Sequence, residues 1–375
     1  MNQFAYGKEA ENQSNKIRVG VVTSGGDCSG LNSIIYALYK YASQHNIEII
    51  GFKRGQQGII NKDYIILTNN ECTPMLLNQS GSILKCGTKG MTKNGKIITP
   101  DEANTEIVKT YKELNLSALV FVGGNGSTKI LKKIINKAKD LNMNFNAIAL
   151  PKTIDNDVAN TDNAIGFDTA IETATREVSD FISTIETHER VGVVEVMGRA
   201  AGYIALHVGL ATGADAILIP ERDYDLNALC EKIQNAYNEK KYALIIVSEA
   251  VPFANEAFDV KQSGDMARVQ YGGTAKKISN YLKNRGFEAK SLVLGHTQRA
   301  GITSVYDRNL AQALAIKCLK LLSNNQKNVL LGISGNEIIA TSFDEIKNTS
   351  RALTPDDTMI KTAEGLGIYL GDIKE

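Results

Sequence analysis

The chain has 375 residues, enough for about two domains or one large α/β unit, and its 42 Lys and Arg against 41 Asp and Glu leave a formal net charge of +1. That balance excludes a nucleic-acid binder that holds a polyanion through many phosphate contacts. Five scattered cysteines without a CxxC pair exclude a disulfide framework or a structural zinc site and point to a reducing cytoplasm, and with no apolar run of about 18 residues and no leader-type N-terminus no membrane partner is expected.

Residues 1–15 are polar and without periodicity, and read as a disordered lead-in. IRVGVVT (17–23) is a β-branched run that ends in SGGDCSG, and Leu31 to Tyr41 then carries apolar residues at helical spacing: strand, glycine loop, helix. The same grammar recurs. IEIIGF (47–52) predicts a strand, TPDE (99–102) a helix start with Pro in its first turn, SALVFVGGNGS (117–127) a strand and glycine loop, and NAIALP (146–151) another buried strand. Further on, RVGVVEVMG (190–198), DAILIP (215–220), YALIIVSE (242–249) and SLVLG (291–295) are strand candidates between amphipathic stretches. Phe167, Ala170, Ile171, Ala174, Val178, Phe181, Ile182 and Ile185 form one stripe of a long helix. The alternation predicts an α/β fold of two doubly wound, Rossmann-like halves with mainly parallel sheets and ligands at the carboxyl ends of the strands.

The 32 glycines against 6 prolines gather where apolar runs end. Thr23-Ser24-Gly25-Gly26-Asp27 and Gly123-Gly124-Asn125-Gly126-Ser127 would each aim backbone N–H groups and a helix N-terminus at an anion. Neither has the GxxxxGK[ST] or GxGxxG spacing, and a short βα turn would ask for the same glycines. Pro151-Lys152-Thr153-Ile154-Asp155-Asn156-Asp157 sets two carboxylates two residues apart after a buried strand. One could take a proton from a hydroxyl while the other attracts a divalent metal, or the segment is an Asx-rich turn that caps a helix. The second half supplies cations at strand ends, Arg190, Arg199, Lys290, His296 and Arg299, and the two sets together describe a phosphosugar site between halves. Glu249 would bind sugar hydroxyls or cap the following helix. His45 and His188 read as surface residues and His207 as a core histidine.

The order TSGGD, GGNGS, PKTIDND, VVEVMGRAAG, VSE and LGHTQRAG resembles the phosphofructokinase family from about residue 17 to 330. The resemblance implies a donor domain formed by residues 16–166 and about 298–350, a sugar-phosphate domain formed by 167–297 and about 351–375, and an active site between them. It implies the glycolytic transfer of a phosphoryl group to the 1-hydroxyl of fructose 6-phosphate, with Asp155 as base, Thr153 and Arg199 steadying the phosphoryl group, and Asn125 and Asp157 on the side of a magnesium ion. Gly25, Gly26, Thr88, Lys89, Gly124, Asn125, Gly126, Ser127 and Lys152 match donor positions. Arg190, Met197, Gly198, Arg199, Glu249, Lys290, His296 and Arg299, with Thr153 and Asp155, match sugar-phosphate positions. In that family the residues at the places of Arg190 and Lys290 reach in from a neighbouring subunit, so a homo-oligomer, dimer or tetramer, is implied.

Family members use ATP or pyrophosphate. Gly126 is the residue type of ATP users, whereas Lys152 is usual in pyrophosphate users, and Ile130 stands where many ATP enzymes have a glycine that lets the nucleotide approach. The chain departs from the family pattern elsewhere too. Asn125 replaces an Asp near magnesium, Thr88 an Arg that spans donor phosphates with Lys89 beside it, Lys290 an Arg, and Ala300 a glycine. The expectation is an ATP-dependent 6-phosphofructokinase, with a pyrophosphate enzyme and a weakly active or regulatory sugar-phosphate-binding subunit as the alternatives.

Overall fold

The computed structural model describes residues 16–87, 91–263, 266–323, 328–346 and 350–373. The β-branched run Ile17–Thr23 forms β1, followed by α1 (Leu31–Ala42), β2 (Ile47–Phe52), α2 (Gln56–Ile60), β3 (Tyr64–Ile66) and a short hairpin, β4 (Thr92–Lys93) and β5 (Lys96–Ile97). Helix α3 (Pro100–Glu113) starts where the sequence directs: Thr99 and Glu102 form a reciprocal capping box, Pro100 occupies the first turn, and Asp101 and Glu102 face the positive end of the dipole. Then come β6 (Ala118–Gly123), α4 (Asn125–Asp140) and β7 (Ala147–Pro151).

The long helix α5 (Phe167–Thr187) leads to β8 (Val191–Val196), α6 (Tyr203–Ala211), β9 (Ala216–Leu218), β10 (Arg222–Asp223), α7 (Leu226–Lys240) and β11 (Ala243–Ser248). A two-stranded ribbon, β12 (Asp259–Ser263) and β13 (Met266–Gln270), precedes α8 (Thr274–Asn284) and β14 (Ala289–Val293). The chain ends through α9 (Val305–Ser323), β15 (Val329–Ser334), β16 (Glu337–Ser342), α10 (Thr358–Gly365) and β17 (Asp372–Ile373).

Seven strands form one sheet in the order β16-β15-β7-β6-β1-β2-β3, and four form a second in the order β14-β8-β11-β9. The second is wholly parallel. The first is parallel except at its edges, where β3 and β16 run antiparallel to β2 and β15. Both sheets are thus mainly parallel, as the alternation predicts, and the exceptions lie at the edges: β15 and β16 are joined by the Gly335-Asn336 turn and fold as a hairpin, while β3 returns antiparallel to β2 after the short helix α2.

In the first sheet β1 lies between β2 and β6, so the chain reverses its direction of growth there. That switch point opens a crevice at the carboxyl ends of β1 and β6, between the two glycine loops. In the second sheet β8 lies between β11 and β14, and the loops after those strands carry the Met-Gly-Arg, Glu249 and His296 segments. One apolar cluster runs from Val19, Val21 and Ile148 through α1, α9 and α5 to Val194 and α6, while separate clusters cover the outer faces of the two sheets. The predicted stripe of α5 packs as expected: Phe167, Ala170, Ala174, Val178 and Ile185 are buried, and Ile171, Phe181 and Ile182 lie against the cluster. Gly192 of β8 leaves the room that Phe181 and Ile185 fill, since a Cβ there would stand 2.9 and 2.8 Å from them.

Candidate active site

The first glycine loop leaves β1 at Thr23 and is tied to the second by the Ser24 N–H, which donates to the Val122 carbonyl at 2.9 Å. The Lys152 N–H donates to the Gly123 carbonyl at 3.1 Å, so three consecutive parallel strands end in three contacting loops. Helix α4 begins at Asn125 with no side-chain cap, and its N-cap is Gly124. Its first N–H groups stay available to an anion, which is the arrangement the glycine spacing predicted. A Cβ on Gly126 would meet nothing within 4 Å, so this first turn opens outward.

Lys152 is 3 % exposed, and its ammonium donates to the Gly26 carbonyl beneath the first loop. Arg299 comes to the same loop from the other side. Its Nη1 donates to the Asp27 carbonyl at 3.0 Å, and a Cβ on Gly26 would stand 2.9 Å from that nitrogen. Ile130 is partly buried and packs against the apolar cluster of its own helix layer. Thr88 and Lys89 lie outside the described residues; the chain enters them from Gly87, which bridges to Ser24.

In the Pro151–Asp157 loop the turn-forming contacts fall to Asn156, not to the carboxylates. Asn156 is buried with φ 51°, accepts the Ala164 N–H at 2.8 Å and donates to the Asp162 carbonyl at 3.1 Å. Asp155 is 5 % exposed, and its Oδ1 has no hydrogen-bond partner among the described residues. Its backbone N–H donates to the Thr153 hydroxyl at 3.1 Å, and the Thr153 N–H donates to the Ile165 carbonyl at 3.1 Å. Asp157 is titrated upward by burial and then by the neighbouring Asp155 charge. Asn125 donates its amide Nδ2 to the Asp157 carbonyl at 2.8 Å and to the Ser350 hydroxyl at 3.1 Å.

Across the cleft, Gly198 has φ 140° and Arg199 has φ 50°. A left-handed Arg is a strained choice, and here it presents an exposed guanidinium whose Nε lies 3.8 Å from Asp155 Oδ2. Glu249 accepts the Arg199 N–H at 3.0 Å, and burial raises its carboxyl. It therefore braces the Arg199 turn instead of capping a helix. Sequence reading passed over Gln298, which is 1 % exposed, accepts the Met197 N–H at 3.3 Å and donates to the Gly295 carbonyl at 3.0 Å. It joins the Met-Gly-Arg turn to the turn that carries the exposed His296. Its signal was present in the GHTQR run, between two cations that drew attention first.

Arg190 and Lys290 are not brought to this site. Both lie at the amino ends of their strands, whereas Met197 follows the carboxyl end of β8; at about 3.3 Å per residue, six strand residues separate Arg190 from Met197 by about 20 Å. Arg190 and Lys290 instead flank Glu288, at 2.7 and 4.0 Å from its Oε1. The expectation of one constellation holding all five cations is corrected for a single chain, because a strand's two ends face opposite edges of its sheet. Ser350 and Arg351 were also missed. The Arg351 N–H donates to the Asp157 carbonyl at 2.8 Å, its Nη1 donates to the Thr161 and Asp162 carbonyls, and its guanidinium lies 4.9 Å from the Tyr203 ring centre.

Residues 18–322 match the family model described as Phosphofructokinase. Over 366 residues the chain is 37% identical to the ATP-dependent 6-phosphofructokinase 1 of Nostoc sp., with 95% of this chain and 99% of that one covered. The ATP-dependent 6-phosphofructokinase 2 of Clostridium perfringens is 34% identical over 368 residues, covering 95% of this chain and 98% of the relative. Two solved structures share the fold: phosphofructokinase from Saccharomyces cerevisiae, with TM-score 0.73 and 24% identity over 94% of this chain, and a pyrophosphate-dependent phosphofructokinase from Marinobacter aquaeolei, with TM-score 0.77 and 18% identity over 96% of this chain. The chain spans about half of the yeast chain (47%) and most of the Marinobacter one (93%). At these identities the likeness concerns the fold.

Proposed function

This chain belongs to the phosphofructokinase family, and we propose that it is an ATP-dependent 6-phosphofructokinase, transferring the γ-phosphoryl group of ATP to the 1-hydroxyl of fructose 6-phosphate. The observation that carries the reading is the meeting of Asp155 and Arg199 across the cleft. A buried carboxylate with one free oxygen faces an exposed guanidinium held out by a strained turn.

Asp155 takes the proton of the 1-hydroxyl while that oxygen forms a bond to the γ-phosphorus. The bond from the γ-phosphorus to the bridging oxygen breaks, leaving ADP and fructose 1,6-bisphosphate. Arg199 and Thr153 steady the charge on the passing phosphoryl group, and Glu249 holds Arg199 in place through its backbone. The uncapped start of α4 and the first glycine loop receive the donor phosphates. Gly126 leaves the first turn of α4 open, which supports ATP. Lys152 adds positive charge under the same loop and is the feature that keeps pyrophosphate as the second reading.

The residues at the donor loops fit a magnesium ion. Asp157 offers a carboxylate, and Asn125, whose Nδ2 is already engaged, keeps its carbonyl oxygen available. A few hard oxygen donors suit a Mg2+ that also binds phosphates and water. Bound there, the ion would neutralise charge that develops on the phosphates.

Arg190 and Lys290 act in the site of a second copy of the chain, so the working unit is a homo-oligomer. Five free cysteines fit a reducing cytoplasm, and among the described residues no helix is long and apolar enough to cross a membrane.

The test is formation of fructose 1,6-bisphosphate from fructose 6-phosphate with Mg2+, run in parallel with ATP and with pyrophosphate as sole donor. Turnover with ATP is expected. Turnover with pyrophosphate alone would transfer the assignment to the second reading, and sugar-phosphate binding without turnover on either donor would assign a regulatory subunit.

A further inference from the structure

Asp307 lies in the first turn of α9 and is fully buried. Its carboxylate accepts three hydrogen bonds from the start of α5. The Gly166 N–H donates to Oδ1 at 2.9 Å, and the N–H and hydroxyl of Thr169 donate to Oδ2 at 2.9 and 2.6 Å. Gly166 is the N-cap of α5 and has no side chain to cap with, so the helix receives its cap from another helix, 141 residues further along the chain. The network continues outward. The Ser304 N–H donates to the Thr169 hydroxyl at 3.0 Å, and the Asp307 N–H donates to the Ser304 hydroxyl at 3.1 Å.

Both ends of this network run into the active site. Ile165, next to Gly166, pairs with the catalytic loop: its N–H donates to the Pro151 carbonyl at 3.1 Å and its carbonyl accepts the Thr153 N–H at 3.1 Å. Ser304 closes the segment that begins at Gly295 and carries His296 and Arg299. One carboxylate therefore stands between the loop of Thr153 and Asp155 and the turn of His296 and Arg299. Burial is costly for it, and its carboxyl is pushed up to about 6 with Asp168 adding to the rise. An apolar residue of similar volume often costs less in stability than a buried charge, so the group has a use other than packing.

We propose that Asp307 is a positioning residue for phosphoryl transfer, fixing the catalytic loop relative to the His296–Arg299 turn without touching either substrate. The proposal rests on the phosphofructokinase reading. Small misplacements of reacting groups lower the rate of the chemical step more than they weaken ground-state binding.

The test compares the wild-type protein with Asp307→Asn, Thr169→Val and Thr169→Ser. Asp307→Asn keeps the shape but turns an amide nitrogen toward a backbone N–H. The readouts are steady-state kinetics with ATP, calorimetric binding of fructose 6-phosphate, and thermal melting. In Asp307→Asn, kcat is expected to fall at least tenfold while both KM values and the sugar-phosphate Kd stay within threefold. Thr169→Val should move kcat in the same direction, and Thr169→Ser should keep it within twofold of wild type. A lowered melting temperature with wild-type kcat in the folded variants would overturn the proposal. If Asp307→Asn does not fold, the two Thr169 variants decide by the same criteria. Wild-type protein that binds the sugar phosphate but turns over neither donor would instead remove the enzymatic reading, and this proposal with it.

Discussion

The side-chain amide of Asn125 donates to the backbone carbonyl of Asp157 at 2.8 Å, so the first residue of α4 is latched to the end of the Pro151–Asp157 loop. An aspartate in its place could not make that bond and would add negative charge beside Asp157, which burial and Asp155 already hold in a raised titration range. Added carboxylate charge strengthens binding of a hard cation. Asn125→Asp is therefore expected to half-saturate at a Mg2+ concentration at least threefold lower than wild type, with a lower kcat because the latch is lost. Asn125→Leu, which removes both the amide donor and the carbonyl oxygen, should lose activity at every Mg2+ concentration. An Asn125→Asp protein with unchanged Mg2+ dependence would show that this side chain does not face the metal.

The donor preference is predicted to depend on Gly126. Since a Cβ there meets nothing within 4 Å, the fold tolerates a larger residue. A carboxylate at the uncapped start of α4 would occupy the place that the helix dipole offers to phosphate. Gly126→Asp should leave the melting temperature within about 2 °C, a near-neutral surface change, while raising the KM for ATP at least tenfold and that for fructose 6-phosphate less than threefold. Equal ATP kinetics in the variant would place the nucleotide elsewhere.

Arg190 and Lys290 give a sharper test, because they lie about 20 Å along the strands from Met197. Arg190→Ala and Asp155→Asn should each be nearly inactive alone. Mixed, denatured and refolded together, they should form hybrids in which one site combines an intact Asp155 with an intact Arg190 from the partner. For random pairing in a symmetric dimer, activity should return to about a quarter of wild type. Activity no higher than the sum of the parents would show that each chain completes its own site.

How far the sequence reaches can be judged from particular residues. The loops after β1, β6 and β7 were legible because β-branched runs ending in glycine, or in Pro-Lys-Thr, carry their own local signal. The side of the cleft on which Arg190 lies was not, since a strand's sequence marks its ends without saying which one faces the ligand. Strand β15 went unread, and with it β16 that pairs to it, because the inner partner of β15 is far away in the chain: Val329 pairs with Ile148 of β7. Asp307 looks in sequence like any acid in a first helical turn, and only the arrival of Gly166 and Thr169 gives it another role. Arg351 likewise acquires its meaning from Asp157, Asp162 and Tyr203, more than 140 residues away.

His207 supplies a prediction about acid stability. Its ring stands edge-on to Phe167, with centroids 5.3 Å apart and planes at 90°, and burial lowers its pKa against the opposing pull of Asp357 and Asp168 and with the help of Arg351. The unfolded chain therefore takes up a proton near pH 6.5 that the native chain refuses, and stability falls as pH drops below that value. The slope approaches about 1.4 kcal/mol per pH unit for one proton. Buried carboxyls act in the opposite sense. Asp307, Asp157 and Glu249 titrate above their ordinary values, so the native state holds their protons more tightly and acidification favours it through them. The His207 contribution is isolated by the difference in unfolding free energy between wild type and His207→Gln, measured by urea denaturation from pH 7.5 to 5.5. That difference should shift against the wild type as pH falls below 6.5 and be level above it; a difference level over the whole range would mean that His207 is protonated as readily in the folded chain as in the unfolded one.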